Sequence, residues 1–253
     1  MHYQIDLNSD MGESFGAYKL GNDAEIIQYV TSANIACGWH AGDPMVMDRT
    51  VKAAAAHGVA VGAHPGYPDL MGFGRRKMTL SPLETKNYVK YQIGALWAFA
   101  KSEGLKLQHV APHGSLGNLC QYDRETSRAI CEAVYEIDPS IMIYYCAGAV
   151  LGEEAKKLGL TAKSEIFADR AYMDDLSLVS RSMPGAMIMD ENIAIARCIR
   201  MVKEGKVTSL NGKELDIRGD TLCVHGDGAK ALAFVEKIRA AFTAEGIEIR
   251  NFQ

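Results

Sequence analysis

A chain of 253 residues with 48% apolar and 23% charged residues has the composition of a globular protein with a large core, built as one sizeable domain or two average ones. A net charge of −4, with no long cluster of Lys and Arg, argues against nucleic acid as a partner. No apolar stretch is long enough to span a bilayer, and MHYQIDLNSD lacks the basic and apolar regions of a secretion signal, so a cytoplasmic location is expected. Cysteine usage agrees. Cys37, Cys146 and Cys223 lie in apolar strand-like runs, Cys131 and Cys198 on predicted helices, and none forms a CxxC pair, which reads as buried thiols of a reducing compartment.

In chain order, short runs rich in Val, Ile, Tyr and Ala alternate with longer helical patterns, the signature of βαβ units. The spacing predicts strands at 3–8, 33–37, 59–63, 107–112, 141–146, 161–167 and 221–225. A helix from Asp43-Pro44 to Gly58 and one from Ser81 to Gly104 carry the clearest boundaries, the second with Pro82 at its first position and Glu84 completing a capping box. That second helix is expected to align Leu83, Ile93, Leu96, Trp97 and Ala100 on one stripe. Weaker helices fall at 23–31, 124–136, 149–158, 190–204 and 229–244, and Asn211-Gly212 suggests a two-residue hairpin turn. No linker, repeat or low-complexity tract divides the chain. Residues 1–253 are therefore expected to form a single domain: a distorted seven-stranded (β/α) barrel. An open doubly wound sheet lacks its GxGxxG fingerprint, and there is no GxxxxGK[ST] loop for ATP.

Chemistry-bearing residues gather at the strand ends, where α/β enzymes build their sites. His40, His64, His113 and His225 each end an apolar run beside glycines, while His2, His57 and His109 lack that setting and read as structural or surface residues. On the first strand Asp6, Asn8 and Asp10 share one face, with Glu13 just beyond. These oxygens could hold a cation or position a base, or form only a turn network. An EF-hand is rejected, because Gly12 is one place late and Ala17 stands where its bidentate Glu belongs. Imidazoles beside carboxylates suit either acid–base catalysis or a divalent metal. The loop from His64 to Lys77 is long enough to be a lid, and Arg75-Arg76 in it could clamp a carboxylate or phosphate. Asp169-Arg170 is either an ion pair at a strand end or a substrate contact. Asp227 either caps the last helix or orients His225.

The segments DLNSDMGESFG (6–16), TSANIACGWHAGDP (31–44), GVAVGAHPGYPDLMGFGRR (58–76), PHGSLGN (112–118), EIFADRAY (165–172), SRSMPGAMI (180–188) and CVHGD (223–227) together resemble the LamB/YcsF family, nearly end to end. The resemblance implies a barrel of the glycoside hydrolase/deacetylase type. It also implies ATP-dependent opening of the 5-oxoproline lactam to L-glutamate, with 5-oxoprolinase subunits B and C as partners and ATP handled together with them. On that reading Asp10, Glu13, His40, His64 and His113 are the acid–base candidates. Arg75, Arg76 and Arg170 meet anionic groups, and Asp6, Asn8, Asn118, Asp169, His225 and Asp227 complete the substrate contacts. The family pattern KPHGALYN reads APHGSLGN here, so Ala111 and Gly117 replace a lysine and a tyrosine, and Ser9 replaces a cysteine. Two alternatives remain beside lactam hydrolysis. One is a metal-dependent deacetylase or amidase, with Asp10, His40 and His64 holding a divalent ion and its water; the other is a diverged, non-catalytic paralogue.

Overall fold

A computed structural model describes residues 2–224 and 231–252. Its first strand, β1 (Tyr3–Met11), outruns the apolar pattern because Asn8 to Met11 pair in parallel with Ser32 to Ile35 of β2 (Ser32–Ala36). β3 (Ala60–His64), β4 (Leu107–Val110), β5 (Met142–Cys146) and β6 (Ala162–Phe167) follow in order, each parallel to its neighbour. A small antiparallel hairpin, β7 (Lys206–Thr208) with β8 (Glu214–Asp216), lies outside this sheet. β9 (Thr221–Cys223) then pairs with both β6 and β1 and closes a seven-stranded parallel barrel. The expected barrel is therefore present, with one strand more than anticipated. β10 (Ile247–Ile249) adds to the first residues of β1, outside the closed ring. The hairpin turn is also wider than two residues, since Thr208 pairs with Glu214.

Helices α1 (Asp23–Ile26), α2 (Pro44–His57), α3 (Pro82–Ser102), α4 (Gly114–Leu119), α5 (Arg124–Ile137), α6 (Val150–Lys157), α7 (Glu191–Glu204) and α8 (Ala231–Ala244) connect the strands. Their local signals act as read. Asp43 accepts from the amides of Met45 and Val46 at the start of α2, Gly58 ends it in the left-handed region, and Ser81 and Glu84 form the capping box of α3. The buried stripe of α3 differs from expectation. Val89, Gln92, Ile93, Leu96 and Ala100 face the core, whereas Leu83 and Trp97 are exposed, because α3 packs against both the barrel and α5. The short α4 was not expected, and the first weak helix is a turn of α-helix followed by a 3-10 turn at Ile27–Tyr29.

Alternation along the strands separates two interiors. Leu7, Ile35, Val61, Val110, Ile143, Ile166 and Leu222 face the helices and form the apolar core. The barrel lumen is polar. Asp6 accepts hydrogen bonds from Thr31, Ser32, Thr221 and Tyr144, and Asn8 joins Thr221 and Asn34. His109 donates from Nε2 to Asn34 (2.7 Å) and stacks on Tyr144 at 3.8 Å. Gly62 is required here by contact, since a Cβ would stand 2.1 Å from His109 Nε2. Two expectations are thereby corrected: Asp6 and Asn8 are fully buried lumen residues satisfied by protein groups, not substrate contacts at the mouth.

Candidate active site

Above this lumen the strand ends bring Asp10, His64 and Glu165 inward from β1, β3 and β6, and His113 enters from the residue preceding α4. They line a cavity of about 690 Å³ together with Arg75, Asn118, Cys146, Arg170, Arg181 and Cys223. His64 and His113 form a hydrogen-bonded pair in its wall. His113 Nε2 donates to the Phe73 carbonyl (2.9 Å), which leaves Nδ1 to accept from His64 Nε2 (2.9 Å). His64 Nδ1 donates to the Ala111 carbonyl (2.6 Å). With acceptors facing both ring nitrogens, His64 is an imidazolium. Electrostatics agree: burial opposes the charge, but Asp10, whose Oδ1 lies 3.4 Å from Nε2, and Glu13 outweigh it and lift the His64 pKa to about 9. Burial, and next the His64 charge, push His113 and His109 down to about 3, so both are neutral.

His40 is placed differently. Its ring is fully buried, stacked on His113 at 3.7 Å, and its pKa is driven well below the ordinary value by burial and then by His113 and His64. Neither ring nitrogen makes a hydrogen bond; Nε2 lies 3.5 Å from Glu13 Oε1. Glu13, His40, His64 and His113 present ligand atoms within 4.8 Å of one another. Three imidazoles and a carboxylate are a donor set that suits Zn²⁺ or a similar divalent ion, and the uncommitted His40 nitrogens fit it. This group differs from the expected set of Asp10, His40 and His64, in that Glu13 and His113 stand in it and Asp10 does not. Filling the site would cost the His64–His113 hydrogen bond and one His64 proton.

The other expected residues divide. Arg75 lines the cavity and lies over the Phe73 ring, and Asn118 and Arg170 line it too. Arg76 does not reach it. Its guanidinium is held by Asp69, which also accepts from the Gly72 and Arg76 amides, so the long loop is stapled to itself instead of presenting both arginines. Asp169 sits beside the cavity wall and its carbonyl accepts from the Ile188 amide. His225 and Asp227 lie outside the described residues. Three contributors were not anticipated. Glu165 is the one acid in β6 and precedes Ile166, which faces the apolar core, so strand alternation alone could have marked it as inward-facing. Asn34 donates to Asp10 Oδ1 (2.9 Å), and Arg181 arrives from a distant loop.

Among the described residues no helix is long and apolar enough to cross a membrane, and all six cysteines are free. The A subunit of 5-oxoprolinase from Alkaliphilus metalliredigens (strain QYMF) is 57% identical over 247 residues, covering 98% of this chain and 96% of that one. The crystal structure of a lactam utilization protein from Thermus thermophilus superposes with a TM-score of 0.93 at 51% identity, over 98% of this chain and 100% of its own. At 10% identity, the catalytic domain of a peptidoglycan N-acetylglucosamine deacetylase from Eubacterium rectale ATCC 33656 shares the fold, with a TM-score of 0.53 over 100% of this chain and 90% of that one. The LamB/YcsF family profile matches residues 5–253, and the chain belongs to that family.

Proposed function

We propose that this chain is the lactam-opening component of a cytoplasmic 5-oxoprolinase, working with subunits B and C in an ATP-dependent cleavage of 5-oxoproline to L-glutamate. The observation that carries the reading is the pairing of the carboxylate Asp10 with the imidazolium His64 at a cavity that also bears arginines. The names of the relatives above support the same chemistry. Asp10 takes a proton from water, and the hydroxide adds to the lactam carbonyl carbon. The positive charge of His64 beside Asp10 favours the oxyanion that develops there, in a setting where such charges are worth most. Collapse breaks the C–N bond, and Asp10 returns the proton it took from water to the departing nitrogen. His113, neutral and anchored on Phe73, accepts the His64 Nε2–H and fixes the imidazolium beside Asp10. The sequence holds no GxxxxGK[ST] loop, and ATP activation of the stable lactam is assigned to the partner proteins. The test is glutamate release from 5-oxoproline and ATP by subunits B and C with and without this chain. Release only with this chain supports the reading; equal release without it, or none from the full set, overturns it.

A second reading rests on the orphaned His40 nitrogens. Glu13, His40, His64 and His113 would hold a divalent ion, which would supply an activated water for amide or ester hydrolysis. Metal analysis of the purified chain, with His40→Ala as control, decides it: one tightly held ion lost in the variant supports it, and a metal-free active enzyme sinks it.

A further inference from the structure

Arg170 follows β6 at the barrel mouth and is only 7% exposed. Burial and then the charge of Arg181 work against its guanidinium, and the pKa falls from its ordinary value. A buried arginine is normally paired with a carboxylate. Here Nη2 donates to the Val179 carbonyl (2.7 Å), Nε has no hydrogen-bond partner, and among the described residues no carboxylate oxygen lies within ion-pair distance. The segment after it explains how a second cation reaches the same place. Isolated bridges Arg170–Met187 and Tyr172–Leu178 fold the chain back on itself around a small apolar cluster of Ala171, Val179 and Ala186. Ser180, Arg181 and Ser182 are thereby carried to the cavity wall that Arg170 also lines.

A guanidinium buried at a cavity, with no carboxylate among the described residues in ion-pair distance, is an unfavourable arrangement that an anionic ligand would relieve. We propose that Arg170 and Arg181, with the hydroxyls of Ser180 and Ser182, form an oxyanion-binding subsite for a carboxylate or phosphoryl group of the ligand. Planar guanidiniums suit both, through paired N–H donors. The cavity of about 690 Å³ is far larger than a five-membered lactam, so such a group can be held while the amide rests against Asp10 and His64. The subsite follows from the geometry; only its assignment to a group on the lactam rests on the function proposed above.

Calorimetric titration of the purified chain with inorganic phosphate, 5-oxoproline and 2-pyrrolidinone, the same lactam without its carboxylate, tests this. Arg181→Gln changes an exposed residue, and Arg170→Lys keeps the charge while losing the fork, so each can be verified as folded by circular dichroism. At least one anion should bind wild type and weaken by about tenfold or more in each variant. Loss of 5-oxoproline binding identifies the carboxylate as the ligand. Loss confined to phosphate identifies a phosphoryl group, and would leave the subsite standing even if 5-oxoproline is not the substrate. Binding of 2-pyrrolidinone should be unchanged throughout. No anion binding to wild type, or binding unchanged in both variants, overturns the proposal.

Discussion

Asn34 Nδ2 donates to Asp10 Oδ1 at 2.9 Å and to Asn8 Oδ1 at 2.8 Å, while its own Oδ1 accepts from His109 Nε2 at 2.7 Å. One amide therefore ties the carboxylate at the mouth to the polar lumen beneath it. Asn34→Leu keeps the volume but strands Asn8 Oδ1 and His109 Nε2 without partners, and should cost about 2–3 kcal/mol in denaturant unfolding. Turnover should fall with KM little changed, because Asp10 loses its orientation and not its contact with substrate. Unchanged stability together with unchanged turnover would show that Asn34 positions nothing.

His64 makes stability depend on alkaline pH. Its folded pKa of about 9 lies above the ordinary value of 6.5, so the folded state binds the proton more tightly. That contribution is fully present below pH 6.5 and is lost as pH rises through about 9; the shift corresponds to roughly 3 kcal/mol. Unfolding free energies of wild type and His64→Gln, measured from pH 6 to 10, should converge at the alkaline end. A constant difference across that range would contradict the imidazolium assignment.

Ser9 faces the helices from β1, fully buried, and its Oγ has no hydrogen-bond partner. The family's usual cysteine satisfies that apolar setting better than a hydroxyl does. Ser9→Cys should therefore stabilise the protein by about 1 kcal/mol, seen as a rise in Tm of roughly 2–4 °C. A lower Tm would mean that the hydroxyl is satisfied in solution.

Ala111 and Gly117 behave differently when the family residues are restored. Ala111 is buried one residue past the end of β4, and its carbonyl holds His64 whatever the side chain. Ala111→Lys is expected to fold and to raise 5-oxoproline cleavage in the presence of subunits B and C. At Gly117 a Cβ would stand 2.4 Å from the Pro112 carbonyl oxygen, so Gly117→Tyr forces α4 to shift and should lower Tm unless other changes accompany it. An inactive but folded Ala111→Lys variant would show that the missing lysine does not limit turnover.

The amino-acid sequence by itself determined the seven barrel strands and the capped helices α2 and α3, because apolar runs, Pro and Gly punctuation and side-chain caps act over a few residues. It also determined that Asp10, His40, His64 and His113 collect at one end of a sheet, since each ends such a run. Tertiary structure alone decided which of them touch. The His64–His113 bond joins residues 49 apart, and Asn34 reaches Asp10 across two strands whose register is set by barrel closure. Asp69 draws Arg76 away from the cavity to which Arg75 turns, and the fold-back after β6 brings Arg181 to Arg170. Those pairings, and with them the charge on His64, depend on burial and on neighbours distant in the chain, which no local pattern encodes.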